Sequence, residues 1–180
     1  MKKLLVLLTF CMIFLVSCDR NINIEEVEED VRSFYNELES CEYTVSVLTS
    51  IYNKSQAFLL DFTYNADKSD QIVIIKPEEV SGITAYVEEN SENIEISFED
   101  VQIETLLTEN IGISPVDVTS FAIFDLKNKK AESIAVSDTI KISYVDEKIS
   151  KDVFLNYENY DIIKVEVYVD GSMVVSCCYA

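Results

Sequence analysis

Ile162-Ile163-Lys164-Val165-Glu166-Val167-Tyr168-Val169-Asp170-Gly171-Ser172-Met173-Val174-Val175-Ser176-Cys177-Cys178-Tyr179 decides the fold class. Ile163, Val165, Val167 and Val169 recur at every second position, the period of a strand with one apolar face. Asp170-Gly171 is a two-residue hairpin connection, since both residue types tolerate the positive φ that a tight primed turn needs. Met173, Val175, Cys177 and Tyr179 then repeat the alternation in the returning strand. The chain therefore ends in an antiparallel hairpin with a covered side and a wet side.

The same period extends outward from this hairpin. Ile140, Ile142 and Tyr144 alternate just before it, followed by Val153, Leu155 and Tyr157. Nearer the N-terminus, Tyr43, Val45, Val47 and Ile51 form one run and Phe58, Leu60, Phe62 and Tyr64 the next. Ile72 to Ile75 is apolar on both faces and stops at Pro77, while Gly82 permits the bend before Ile83, Ala85 and Val87. Ile94, Ile96 and Phe98 alternate after the polar turn Asn90 to Asn93.

Two stretches read as helix instead. Ile24, Val27, Val31, Phe34 and Leu38 fall at three- and four-residue steps, with Asn23 as N-cap and Glu26 in the capping-box place. Glu25, Glu26, Glu28, Glu29 and Asp30 crowd the first turns, where the helix dipole favours negative charge. In mid-chain, Ser114-Pro115 predicts a cap and a first helical position, followed by the apolar set Val118, Phe121, Ala122 and Leu126 and by Lys127, Lys129 and Lys130. Ile103, Leu106 and Leu107 predict a weaker helical turn within residues 101–110. The order is helix, about five strands, one or two helices, then about four strands. It predicts an α+β chain: a curved antiparallel sheet, an unclosed half-barrel, with helices packed over its apolar face.

The N-terminus carries a different signal. Lys2 and Lys3 precede an apolar run from Leu4 to Val16, which ends in Leu15-Val16-Ser17-Cys18. The run is shorter than the roughly 20 residues of a membrane span and suits an export leader. Its last four residues resemble a bacterial lipobox. That resemblance implies cleavage after residue 17, acyl chains such as palmitate on Cys18, and an extracytoplasmic body anchored to the cell membrane by the lipidated cysteine. The expected organisation is a signal peptide at 1–17, a lipidated cysteine and polar linker at 18–23, and one domain at 24–180.

Composition limits the chemistry. The full chain has 14 basic and 33 acidic residues, a net charge of −19. Removing a leader with two lysines and no acid leaves 12 basic residues against 33 acidic ones, or −21. Such a surface argues against nucleic acid as a partner. The chain has no histidine, which removes histidine triads and histidine metal sites. With three glycines it has no phosphate-cradling loop, and it lacks a twelve-residue calcium loop. No cofactor is implied.

Three stretches carry a wider resemblance: the strand pair around Tyr43-Thr44-Val45-Ser46-Val47 and Phe58 to Tyr64; Ile75-Lys76-Pro77-Glu78-Glu79-Val80-Ser81-Gly82; and Ile113-Ser114-Pro115. In order and spacing, residues 24–179 resemble the LolA-like and LolB-like lipoprotein-carrier fold. The closest resemblance is to lipobox-bearing germination and sporulation lipoproteins of spore-forming Firmicutes. The resemblance implies a half-pipe sheet lidded by helices over an apolar cavity. It implies no shuttle role, because a chain held by its own lipid does not ferry cargo between membranes.

The expected function is that of a noncatalytic lipoprotein binding an apolar ligand, or an envelope or spore-cortex protein, through its curved sheet. Phe58, Phe62, Ile74, Ile96, Phe98, Phe121 and Ile142 are the candidate cavity lining, and each is equally an ordinary core residue. The alternative is a carboxylate-dependent cell-wall hydrolase, with Glu99-Asp100 and Glu104, or Asp61 with a neighbouring acid, sharing acid and base roles. Beyond Cys18, parity places Cys41 and Cys177 on the apolar side and Cys178 away from it. Free thiols are one expectation and a Cys41–Cys177 bridge the other.

Overall fold

The computed structural model describes residues 23–51, 54–88, 93–98, 101–106 and 112–180. The expected leader, Cys18, and the Glu99-Asp100 pair lie outside the described residues. The chain begins with helix α1 (Ile24–Glu37), and Asn23 caps it by accepting the Glu25 N–H at 3.3 Å. Six strands follow: β1 (Ser40–Ile51), β2 (Lys54–Asn65), β3 (Asp70–Lys76), β4 (Thr84–Val87), β5 (Asn93–Phe98) and β6 (Val101–Leu106). A short 3-10 turn, Glu78–Val80, joins β3 to β4. Helix α2 (Val118–Asn128) comes next. Five strands complete the chain: β7 (Ser133–Val136), β8 (Thr139–Asp146), β9 (Ile149–Asn156), β10 (Ile162–Val169) and β11 (Ser172–Tyr179).

All eleven strands belong to one sheet in the order β6-β5-β4-β3-β2-β1-β11-β10-β9-β8-β7. Every neighbouring pair is antiparallel. The first and last strands close on each other: Val45 faces Tyr179 and Val47 faces Cys177. The sheet thus divides into two meanders that meet at β1 and β11, with its outer edges at β6 and β7. It is the open, curved α+β architecture expected from the alternation.

Burial follows the strand period. Val45 and Val47, Leu60, Phe62 and Tyr64, Ile140, Ile142 and Tyr144, and Val153 and Leu155 all turn inward and are buried. Helix α2 lies on this inner face and is buried nearly all round, through Val118, Ala122, Ile123 and Leu126. Helix α1 buries only Val31 and Tyr35, against α2 and β7, and keeps its acidic face in water. Tyr35 fixes it to the sheet by donating its hydroxyl to the Tyr160 carbonyl at 2.7 Å.

The structure corrects three readings of the sequence and decides between two for the cysteines. Residues 101–106 form strand β6, because Val101 to Leu106 pair with β5 along its whole length, and this ladder outweighs a weak helical pattern. Residues 133–136 form β7, too short to show a period of its own and held by pairing with β8. Ile163 is exposed, because a register shift between Ile162 and Lys164 turns Ile162 inward in its place. Cys41, Cys177 and Cys178 are free thiols. The register explains this last point: Cys177 lies opposite Val47, six residues along β1 from Cys41, far beyond disulfide reach.

Candidate binding recess

The loop before α2 is built around a carboxylate. Asp117 accepts the N–H of Ser114 at 2.9 Å and of Gly112 at 3.2 Å. Ser114 and Pro115 therefore form a turn, and the helix starts three residues later, at Val118. Burial raises the Asp117 pKa, while the two N–H groups and the nearby Lys151 pull it down. Gly112 has φ +85°, and a Cβ there would lie 3.1 Å from both Lys151 Nζ and Phe121 Cβ. Only glycine accepts that backbone angle and leaves that space.

Lys151 occupies an inward position on β9, in series with Val153 and Leu155. Its ammonium lies 2.5 Å from Asp125 Oδ2 on α2, and both residues are buried. Asp125 Oδ1 also meets Lys129 at 3.1 Å, and Lys129 lies 3.8 Å from Asp146 on β8. Two lysines and two aspartates thus form a balanced chain of charge from the interior to the surface. Tyr144 stands beside it, its phenol pushed up by burial first and then by the charges of Asp125 and Glu28.

A recess of about 280 Å³ opens between α2 and the end of the β8–β9 hairpin. Phe121, Phe124, Tyr144 and Ile149 give it apolar walls, and Asp125, Lys151, Lys129 and Asp146 supply its polar groups. On another side of α2, Tyr64, Lys68, Asp70, Ser120, Phe121 and Lys127 are among the residues around a small cavity of about 20 Å³, room for about one water. A third, shallow groove of about 500 Å³ runs over β1, β2 and β11 past Leu48, Leu59 and Cys178.

Phe121 lines both of the first two spaces. Phe58 lines the shallow groove. Phe62, Ile74 and Ile142 are buried in the core, with Ile96 packed against it, and Phe98 is exposed. Asp61 is exposed on β2 and accepts the Thr44 hydroxyl at 3.2 Å. Reading the sequence for apolar lining missed Lys151 and Asp125. Their signal was present: a lysine in the inward phase of a strand, and an aspartate inside an otherwise apolar helix turn. Among the described residues, no cluster of three or more His, Cys, Asp or Glu is placed to hold a metal ion, and no helix is long and apolar enough to cross a membrane.

No family model matches the sequence, and no curated protein matches it. Solved structures do. An uncharacterised conserved protein from Thermus thermophilus superposes with a TM-score of 0.51 at 8% identity, over 87% of this chain and 84% of the other. A LolA superfamily protein from Nitrosomonas europaea gives 0.43 at 11% identity, over 85% and 91%. A chain of the complex between the CwlD amidase and the GerS lipoprotein of Clostridioides difficile gives 0.46 at 15% identity, over 86% and 92%. The Thermus thermophilus likeness shows a shared fold. The other two superpose more loosely.

Proposed function

We propose that this chain is an extracytoplasmic, noncatalytic lipoprotein, anchored through Cys18 after loss of residues 1–17, that binds through the recess beside α2. The observation that carries the binding role is the recess itself: about 280 Å³, walled by Phe121, Phe124, Tyr144 and Ile149, with its charges already paired. Ligand sites commonly span about 300–1,000 Å³ and combine apolar walls with a few placed polar groups. This one is at the small end. It suits a single acyl chain end, or one apolar side chain of an envelope or spore-cortex protein, better than a whole multi-acylated lipoprotein. Internal charge balance favours an occupant whose inserted part is uncharged, because a charged one would have to displace Lys151 from Asp125.

Titration with a fluorescent fatty acid tests the recess. Saturable binding that Phe124→Ala weakens is the expected result. No saturable binding of that probe, with no envelope protein crosslinked at Phe124 in cells, overturns the reading. Labelling with radioactive palmitate, lost in Cys18→Ala, tests the anchor.

A further inference from the structure

The antiparallel order places certain turns at one end of the sheet. Pairing puts the ends of β1, β3, β5, β8 and β10 at the same rim, with the starts of β2, β4, β9 and β11. Among the described residues, seven large apolar side chains are exposed: Ile24, Leu48, Ile75, Phe98, Val145, Ile163 and Met173. Leu48, Ile75, Phe98, Val145 and Met173 all lie within three residues of a strand end at that rim. Ile163, at the start of β10, lies at the opposite one.

Helix α1 starts towards the same rim. Tyr35, near the end of α1, bonds to Tyr160 in the β9–β10 turn of the far rim. Towards the helix start, Arg32 donates to the Lys129 carbonyl, and Glu28 accepts the Ala131 N–H at the level of Val145. Ile24 is a further turn along and 49% exposed. Single exposed apolar residues are ordinary on protein surfaces. A set gathered where the chain's own anchor attaches is not a random scatter. Four residues lie between Cys18 and Asn23, and the five steps from one to the other span at most about 18 Å.

We infer that this rim is a membrane-contacting surface, seated on an uncharged bilayer face, with the sheet standing end-on and the recess beside α2 opening towards the lipid. The inference rests on the Cys18 anchor. The tether is too short to hold the rim far from the bilayer. Val145 and Met173 flank the adjacent β8–β9 and β10–β11 turns, which are joined by the Asp170 N–H to the Lys148 carbonyl at 2.9 Å, so the two side chains present one edge. Charge selects the lipid. Lys148 in this edge is outnumbered by Asp146, Glu147 and Asp170, so a zwitterionic surface suits it and an anionic one repels it.

The chain has no tryptophan, so a single introduced one reports alone. Mature acylated protein, beginning at Cys18 and carrying Val145→Trp, Met173→Trp or Ile163→Trp, is reconstituted in phosphatidylcholine vesicles containing brominated acyl chains, and flotation confirms attachment. Blue-shifted emission and loss of intensity at Val145→Trp and Met173→Trp, with neither change at Ile163→Trp, is expected. Unchanged emission at both rim positions in floated protein overturns the orientation and leaves the anchor standing. Equal quenching at all three positions also overturns it. Failure to float removes the anchor and the orientation together, while fatty-acid binding is unaffected by either result. Two rim variants are used so that misfolding of one leaves the other as the reading.

Discussion

Lys151 reaches across the inner face of the sheet to Asp125, and their 2.5 Å contact is the polar bond that joins α2 to strand β9 in the interior. Breaking one half of a buried pair costs about 3–5 kcal/mol, because the other charge is left without a partner. Asp125→Ala is expected to cost that much in urea unfolding, since it strands Lys151. Lys151→Ala costs less, because Lys129 still faces Asp125. The double variant Asp125→Leu with Lys151→Met recovers part of the loss. A double variant Asp125→Ala with Lys151→Ala whose loss is the strict sum of the two single losses would show that the two residues do not act as a pair.

Gly112 and Gly171 separate two demands on glycine. Both have positive φ, but only Gly112 has neighbours where a Cβ would go. Left-handed backbone costs a non-glycine residue about 1–2 kcal/mol. Gly171→Ala is expected to lose about that much. Gly112→Ala loses more, because its methyl group must also displace Lys151 Nζ or Phe121, each 3.1 Å away. Thermal melts of the two variants rank them, and equal losses would refute the crowding argument.

The sheet was legible in the sequence wherever strands were one-sided, as from Val165 to Val169, because water on one face and core on the other enforce a period of two. It was illegible at β7, where four residues hold their shape through pairing with β8, and at β6, whose pattern is read only against β5. Positions beside register shifts also escaped: Met173, expected inward with Val175, is exposed next to the shift at Val167/Tyr168. Lys151 was missed for another reason. A search for apolar lining passes over a lysine, although an inward lysine must have a buried partner.

Alkaline pH should loosen the fold. Burial pushes the Cys41 and Cys177 thiols from 9.0 up to about 12. The folded chain therefore keeps protons that the unfolded chain gives up above pH 9. Stability from these groups is intact below about pH 9 and is lost as pH rises towards about 12. Tyr35 and Tyr144 add to the loss above pH 10, since burial raises them too. The urea midpoint should fall steadily between pH 8.5 and 11, with a shallower slope in Cys177→Ala than in the parent protein. A midpoint flat across this window would contradict the burial of Cys177 and the half-burial of Cys41.

Phe121 and Ile142 both belong to the apolar lining expected from the sequence, and the structure gives them different surroundings. Ile142 is 1% exposed at the centre of β8, and truncating such a side chain to Ala costs about 2–5 kcal/mol from lost burial and the void left behind. Phe121 is only half-buried and walls the recess. Its truncation removes less core and enlarges the space that a ligand would enter. Ile142→Ala should therefore unfold at markedly lower urea while binding the fluorescent fatty acid unchanged in conditions where it is folded. Phe121→Ala should stay closer to the parent in stability and shift the binding isotherm. If Ile142→Ala alters affinity and Phe121→Ala leaves it untouched, the occupied space lies deeper under α2 than the recess. The apolar lining expected from the sequence would then describe the ligand better than the walls seen here.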